Sequence, residues 1–131
     1  MATVSRDKLK QRGLRRFAHS FRYALDGLIY AFKYEQNMLA HIIATIGAIA
    51  LGFILKISPF EWLILVLIIG LVIATELINT SIEAAIDLTT KEINPLAKVA
   101  KDTAAAAVMI FAITAVIIAC IIFIPKIILL F

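Results

Sequence analysis

The chain has 131 residues, is 63% hydrophobic with a mean hydropathy of +1.00, and carries a formal net charge of +4. Soluble domains are about 45–50% apolar, so this composition excludes an ordinary soluble enzyme and points to one small integral membrane domain. The basic residues flank apolar runs, where anionic lipid headgroups account for them, and nucleic acid is not an expected partner.

Residues 1–13 are polar and basic and are expected to form a flexible N-terminus ahead of a single domain spanning 14–131. Over residues 14–36, Phe17, Phe21, Ala24, Leu25, Leu28 and Phe32 recur at three- and four-residue spacing, and Arg16, His19, Tyr23, Asp26, Tyr30 and Lys33 mostly take other sectors. A basic amphipathic helix of this kind lies in the membrane interface, with Tyr23, Tyr30 and Tyr34 as headgroup-level anchors. Glu35 stands at its end.

A bilayer-spanning helix needs about 20 predominantly apolar residues. Three runs qualify: 38–57, 61–85 and 103–124. The turn Ile57-Ser58-Pro59-Phe60 separates the first two. Between the second and third, Asn94-Pro95 signals a turn and the start of a short helical segment. Lys98 and Lys101 are three apart and share a face of it. The small side chains of Thr103-Ala104-Ala105-Ala106-Ala107 permit close helix contact in lipid. Pro125-Lys126 and a last apolar stretch, 127–131, follow the third run. His19 and His41 have no metal partner at helical spacing and read as interfacial or packing residues. Cys120, the single cysteine, reads as buried apolar filler.

Lys and Arg concentrate before Asn37 (Arg6, Lys8, Lys10, Arg12, Arg15, Arg16, Arg22, Lys33) and recur at Lys91, Lys98 and Lys101. The first turn has only Lys56, and Lys126 alone follows the third span. The positive-inside rule therefore puts the N-terminus and the second loop in the cytoplasm of a multi-pass membrane protein, with the first turn and the C-terminus outside.

One helix face stands apart. Glu76, Asn79, Thr80, Glu83 and Asp87 are offset by +3, +4, +7 and +11 and fall within a stripe roughly 100° wide. This stripe directly continues the uncharged run from Trp62 to Ala74. A carboxylate near the bilayer centre costs about 2.5–3.5 kcal/mol on insertion scales, so intramembrane carboxylates are functional by default. Carboxylates, the Asn79 amide, Glu35 at the membrane entry, and Lys98 and Lys101 together suit phosphoryl transfer. Carboxylate oxygens suit Mg²⁺, lysines offset phosphate charge, and one carboxylate can accept a hydroxyl proton. No glycine-rich phosphate loop of the GxxxxGK[ST] type is present. Two non-enzymatic readings compete: a membrane proton or ion pathway, and a hydrogen-bonded structural scaffold.

The run Glu76-Leu77-Ile78-Asn79-Thr80-Ser81-Ile82-Glu83-Ala84-Ala85-Ile86-Asp87, followed by Ala97-Lys98-Val99-Ala100-Lys101-Asp102, resembles the signature of the small bacterial membrane lipid kinases. That family comprises diacylglycerol kinase and undecaprenol kinase, and the likeness runs from about Arg16 to Pro125. It implies an all-α homotrimer, each protomer having three transmembrane helices and one amphipathic surface helix. It also implies ATP as co-substrate, Mg²⁺ as cofactor, a lipid alcohol as acceptor, and active sites shared between neighbours at the cytoplasmic face. Glu76 matches the family's proton acceptor. Glu83 and Glu35 match the metal carboxylates of the nucleotide site. Lys101 and Asp102 match a nucleotide-contacting pair, with Asn79 nearby. Arg16, Tyr23, Glu92 and Asn94 match further nucleotide contacts. The segments 95–102 and 121–126, with Glu61-Trp62, look more like the Gram-positive branch, which implies undecaprenol as substrate and diacylglycerol as the alternative.

Overall fold

A computed structural model describes residues 14–89, 92 and 94–130, with side chains from residue 16 onward. The expectation of a flexible segment over 1–13 lies outside the described residues, as does Ile93 of the second loop. The described residues form four helices and no strand: α1 Leu14–Tyr34, α2 Gln36–Ile54, α3 Pro59–Thr89 and α4 Pro95–Ile128. The fold is all-α, as expected, and α2, α3 and α4 are each long and apolar enough to cross a membrane.

The boundaries of the two long helices differ from the sequence expectation. The third helix runs on past residue 85 to Thr89, because its last turns remain amphipathic after the apolar window ends. The segment beginning at Pro95 is not a separate short helix but the first turns of α4. Nor does Pro125 end α4; the helix continues over it to Ile128.

Both long helices start on a polar cap followed by proline. At α3, the Ser58 N–H donates to Glu61 Oε2 at 2.6 Å and the Glu61 N–H donates to Ser58 Oγ at 3.3 Å. This reciprocal capping box satisfies two otherwise orphaned donors. At α4, Asn94 Oδ1 accepts from the N–H groups of Leu96 and Ala97, and Pro95 occupies the first helical position, where its missing N–H costs nothing. The α2–α3 turn closes as a Schellman motif. Ile57 N–H donates to Gly52 O at 3.1 Å and Lys56 N–H to Phe53 O at 3.3 Å, with Lys56 in the left-handed region at φ 50°.

The most extensive contact joins α3 and α4. They run antiparallel, with an ion pair at each end: Lys126 to Glu61 at 3.1 Å, and Lys101 to Asp87. A small core of Ile57, Leu65, Ile122 and Phe123, flanked by Trp62, closes the bundle at the α2–α3 turn. Helix α1 packs only near its C-terminal end, where Ala31 is fully buried. Phe17, Phe21, Leu25 and Phe32 of its apolar stripe stay exposed, which is the surface a helix lying in an interface offers to lipid. Cys120 is exposed on α4, not buried as expected: its position turns away from the α3 contact.

Candidate active site

The buried face of α3 changes chemistry halfway along. Leu65, Ile68 and Val72 are buried, and the same face continues as Glu76, Asn79 and Thr80, also buried. Burial then falls away through Glu83 to Asp87, which is exposed. The predicted stripe is therefore a path from the interior of the bundle to its end.

Glu76 is 1% exposed. Neither of its carboxylate oxygens has a hydrogen-bond partner among the described residues, and the same holds for Asn79 Oδ1. Asn79 Nδ2 donates to Glu83 Oε1 at 2.9 Å, which fixes the Glu83 carboxylate against α3. Thr80 donates back to the Glu76 carbonyl at 3.0 Å and so is committed to its own helix. Buried polar groups in native proteins are nearly always satisfied. Unpaired carboxylate and amide oxygens side by side therefore mark a place for a ligand that donates or carries positive charge.

These groups line a cavity of about 270 Å³, together with Asn37, Ala40 and His41 of α2 and Ala105, Val108, Met109 and Ala112 of α4. Asn37 stands beside Glu76 without closing a hydrogen bond of normal geometry, and Glu35, His41 and Glu83 lie within electrostatic reach of it. Glu35 is the one non-helical residue between α1 and α2. It occupies the cap position of α2 with extended backbone, yet its side chain makes no cap hydrogen bond. The corner thus leaves this carboxylate uncommitted to the helix end, and Glu35 itself does not line the cavity.

Lys101 lies one turn before Ala105, and Asp87 one turn after Glu83. Their ion pair joins α3 and α4 about one turn beyond these lining residues. Asp102 pairs with Lys98 on the exposed side of α4, not with Lys101. Arg16 and Tyr23 are exposed on α1, where Tyr23 stacks on His19 at 6.4 Å between ring centroids. Glu92 lies exposed in the α3–α4 loop, and Asn94 caps α4. The structure thus gathers Glu76, Asn79 and Glu83 into one cavity, with Glu35 within electrostatic reach of Glu76 and Lys101 about one turn from the lining residue Ala105. It leaves Arg16, Tyr23, Glu92, Asn94 and Asp102 at the surface.

Asn37 and His41 were missed as site residues. They are four apart, the spacing that puts two side chains on one helix face, and that was the available signal. His41, expected as an interfacial or packing residue, also lines the polar cavity.

Comparison with known proteins identifies the family. The family model for prokaryotic diacylglycerol kinase matches residues 22–123. The chain is 42% identical over 113 residues to the undecaprenol kinase of Bacillus subtilis, covering 86% of this chain and 92% of that protein. It is 40% identical over 100 residues to a diacylglycerol kinase of Synechocystis, covering 76% of this chain and 57% of that protein. It is also 40% identical over 101 residues to a diacylglycerol kinase of Helicobacter pylori, covering 77% and 79% respectively. With a family match over residues 22–123 and 42% identity across 86% of its length to a lipid kinase, the chain belongs to the prokaryotic diacylglycerol kinase family and is a lipid kinase.

Proposed function

We propose that the chain transfers the γ-phosphoryl group of ATP to undecaprenol at the cytoplasmic face of a bacterial membrane. The carrying observation is Glu76, a buried carboxylate whose two oxygens have no hydrogen-bond partner among the described residues and which lines a cavity with Asn79 and Glu83. The lipid hydroxyl enters from the bilayer side and donates to Glu76. Its oxygen attacks the γ-phosphorus, the new P–O bond forms as the bond to the β-phosphate oxygen breaks, and the hydroxyl proton passes to Glu76. ADP leaves with the bridging oxygen, and no phosphoenzyme is needed. Undecaprenol is favoured over diacylglycerol by the 42% identity to an undecaprenol kinase across 92% of that protein's length.

The oxygen donors fit Mg²⁺. It prefers one or two carboxylates plus substrate phosphates to an all-protein cage, and Glu83 and Glu35 are the carboxylates that would hold it. Bound there, Mg²⁺ would offset charge on the β- and γ-phosphates. Asn79 holds Glu83 in place for that task, and Lys101 exchanges Asp87 for phosphate oxygens. Arg16, Tyr23, Glu92, Asn94 and Asp102 are proposed as outer nucleotide contacts, brought in when the loop and α1 close on ATP. We also read the working form as a homotrimer whose α1 rests on anionic lipid.

The test is phosphate transfer from γ-labelled ATP, with Mg²⁺, to undecaprenol and to diacylglycerol by the purified protein. Transfer chiefly to undecaprenol is expected. Transfer chiefly to diacylglycerol would keep the mechanism and change the substrate. Transfer to neither, in folded protein, would favour the ion-pathway or scaffold reading.

A further inference from the structure

A second cavity, of about 200 Å³, lies directly beside the first. It is lined by Leu65, Ile68, Ile69 and Val72 of α3, Ala44, Thr45 and Ala48 of α2, and small and branched apolar residues of α4. Two residues line both cavities: Ala112, which has no polar side-chain group, and His41. This division matches the change along α3, whose buried face is apolar up to Val72 and polar from Glu76. The pair of cavities therefore has the polarity of an amphiphile, polar at one end and apolar at the other, with an imidazole at the junction.

We propose that His41 orients the lipid hydroxyl, donating an N–H hydrogen bond to its oxygen, while the apolar cavity seats the first carbons of the lipid chain. The proposal rests on the lipid-kinase reading above and adds a residue and a subsite to it. A hydroxyl has one donor and two acceptor lone pairs, and an ionised carboxylate only accepts. Glu76 can therefore take the hydroxyl's proton but cannot fix the direction of its lone pairs. A second group must donate to the oxygen, so that one lone pair is held and the other points at the phosphorus. Asn37 and Asn79 also carry donors, but Asn79 is engaged with Glu83 and neither amide lines the apolar cavity. Only His41 combines a donor with a place where head and chain meet. Whole drug-sized ligands occupy sites of about 300–1,000 Å³, so the smaller apolar cavity takes only the first carbons and leaves the remaining chain in the bilayer.

The experiment measures lipid phosphorylation by the full chain with undecaprenol, alongside the KM for Mg·ATP. His41→Leu removes the donor, and kcat/KM for the lipid should fall by about tenfold or more with the ATP KM little changed. His41→Gln keeps an N–H donor and should retain most of the activity. Ala115→Leu fills the apolar cavity and should raise the lipid KM with kcat nearly unchanged. His41→Met, unbranched and adaptable, serves as a second donor-free variant should His41→Leu not fold. Equal losses in the donor-free and Gln variants, a loss confined to ATP, or failure of both donor-free variants to fold would assign His41 to packing and overturn the proposal. An unchanged lipid KM in Ala115→Leu would overturn the subsite. These results would leave the kinase reading intact. A wild-type chain that phosphorylates neither undecaprenol nor diacylglycerol would remove that reading, and this proposal with it.

Discussion

Glu76 and Asn79 carry buried oxygens without a hydrogen-bond partner among the described residues, as a site that receives a ligand would and a structural polar contact would not. An unsatisfied buried polar group costs about 1–3 kcal/mol, and the chain has nothing among the described residues to offset that at Glu76. The variant Glu76→Gln keeps shape and removes the proton acceptor. It should fold normally and lose turnover by about 10²–10⁴-fold, the usual contribution of general base catalysis; normal turnover would end the base assignment. Asn79→Ala releases the Glu83 carboxylate from its 2.9 Å hydrogen bond. Loss of a group that orients a metal ligand typically weakens metal affinity by about 10–100-fold. The Mg²⁺ concentration for half-maximal activity should rise accordingly, and an unchanged Mg²⁺ titration would detach Asn79 from that role. The α3 stripe was legible in the sequence because acidic residues interrupt an apolar run at helical spacing. Asn37 and His41 were not, because two polar residues near the start of a span look like interfacial residues. Only the approach of α2 to α3 brings them to the cavity that Glu76 lines.

At the scale of the elements, turn chemistry and close packing set the geometry. Lys56 sits at φ 50° as the C′ residue of the Schellman motif, a place that favours glycine because a Cβ is strained there. Lys56→Gly should therefore stabilise the protein by about 0.5–1 kcal/mol, read as a higher midpoint in thermal or denaturant unfolding. Gly52, one turn earlier, has the opposite constraint. A Cβ built there would lie 2.7 Å from Trp62 Cη2 and 2.9 Å from Trp62 Cζ2. The indole also packs against the Phe53 ring, at 4.8 Å between ring centroids. Gly52→Val should force the two helices apart and destabilise by about 1–3 kcal/mol, the usual cost of overpacking. Hydropathy and turn residues made the number and order of the helices legible. The extents of α3 and α4 were not, because the ends of both continue as amphipathic helix after the apolar signal stops, and their caps, not their hydropathy, mark where they begin.

For the molecule as a whole, the remaining question is what covers the back of α3. At about 100° per residue, Gly70, Ala74 and Ser81 fall on one stripe, roughly opposite the stripe of Glu76 and Glu83. All three are exposed, and nothing lies within 4 Å of a Cβ built on Gly70. Lipid alone has no need of small residues there. In lipid, helices associate through small residues that let backbones approach closely, typically four apart as Gly70 and Ala74 are. A trimer would have a physical seat here: the back of α3 would meet its copies at the centre, with the polar face turned toward the cavity. Gly70→Leu replaces open space with a bulky side chain on that stripe. Native mass spectrometry of the wild type in mild detergent should give three times the 14.4 kDa protomer, and the variant should shift toward single chains. The reverse control is Leu63→Ala, on the same stripe but nearer the α2–α3 turn, which should leave the mass unchanged. A wild type that is monomeric while active would show that one chain holds a complete site, and the back of α3 would then be a lipid-facing surface.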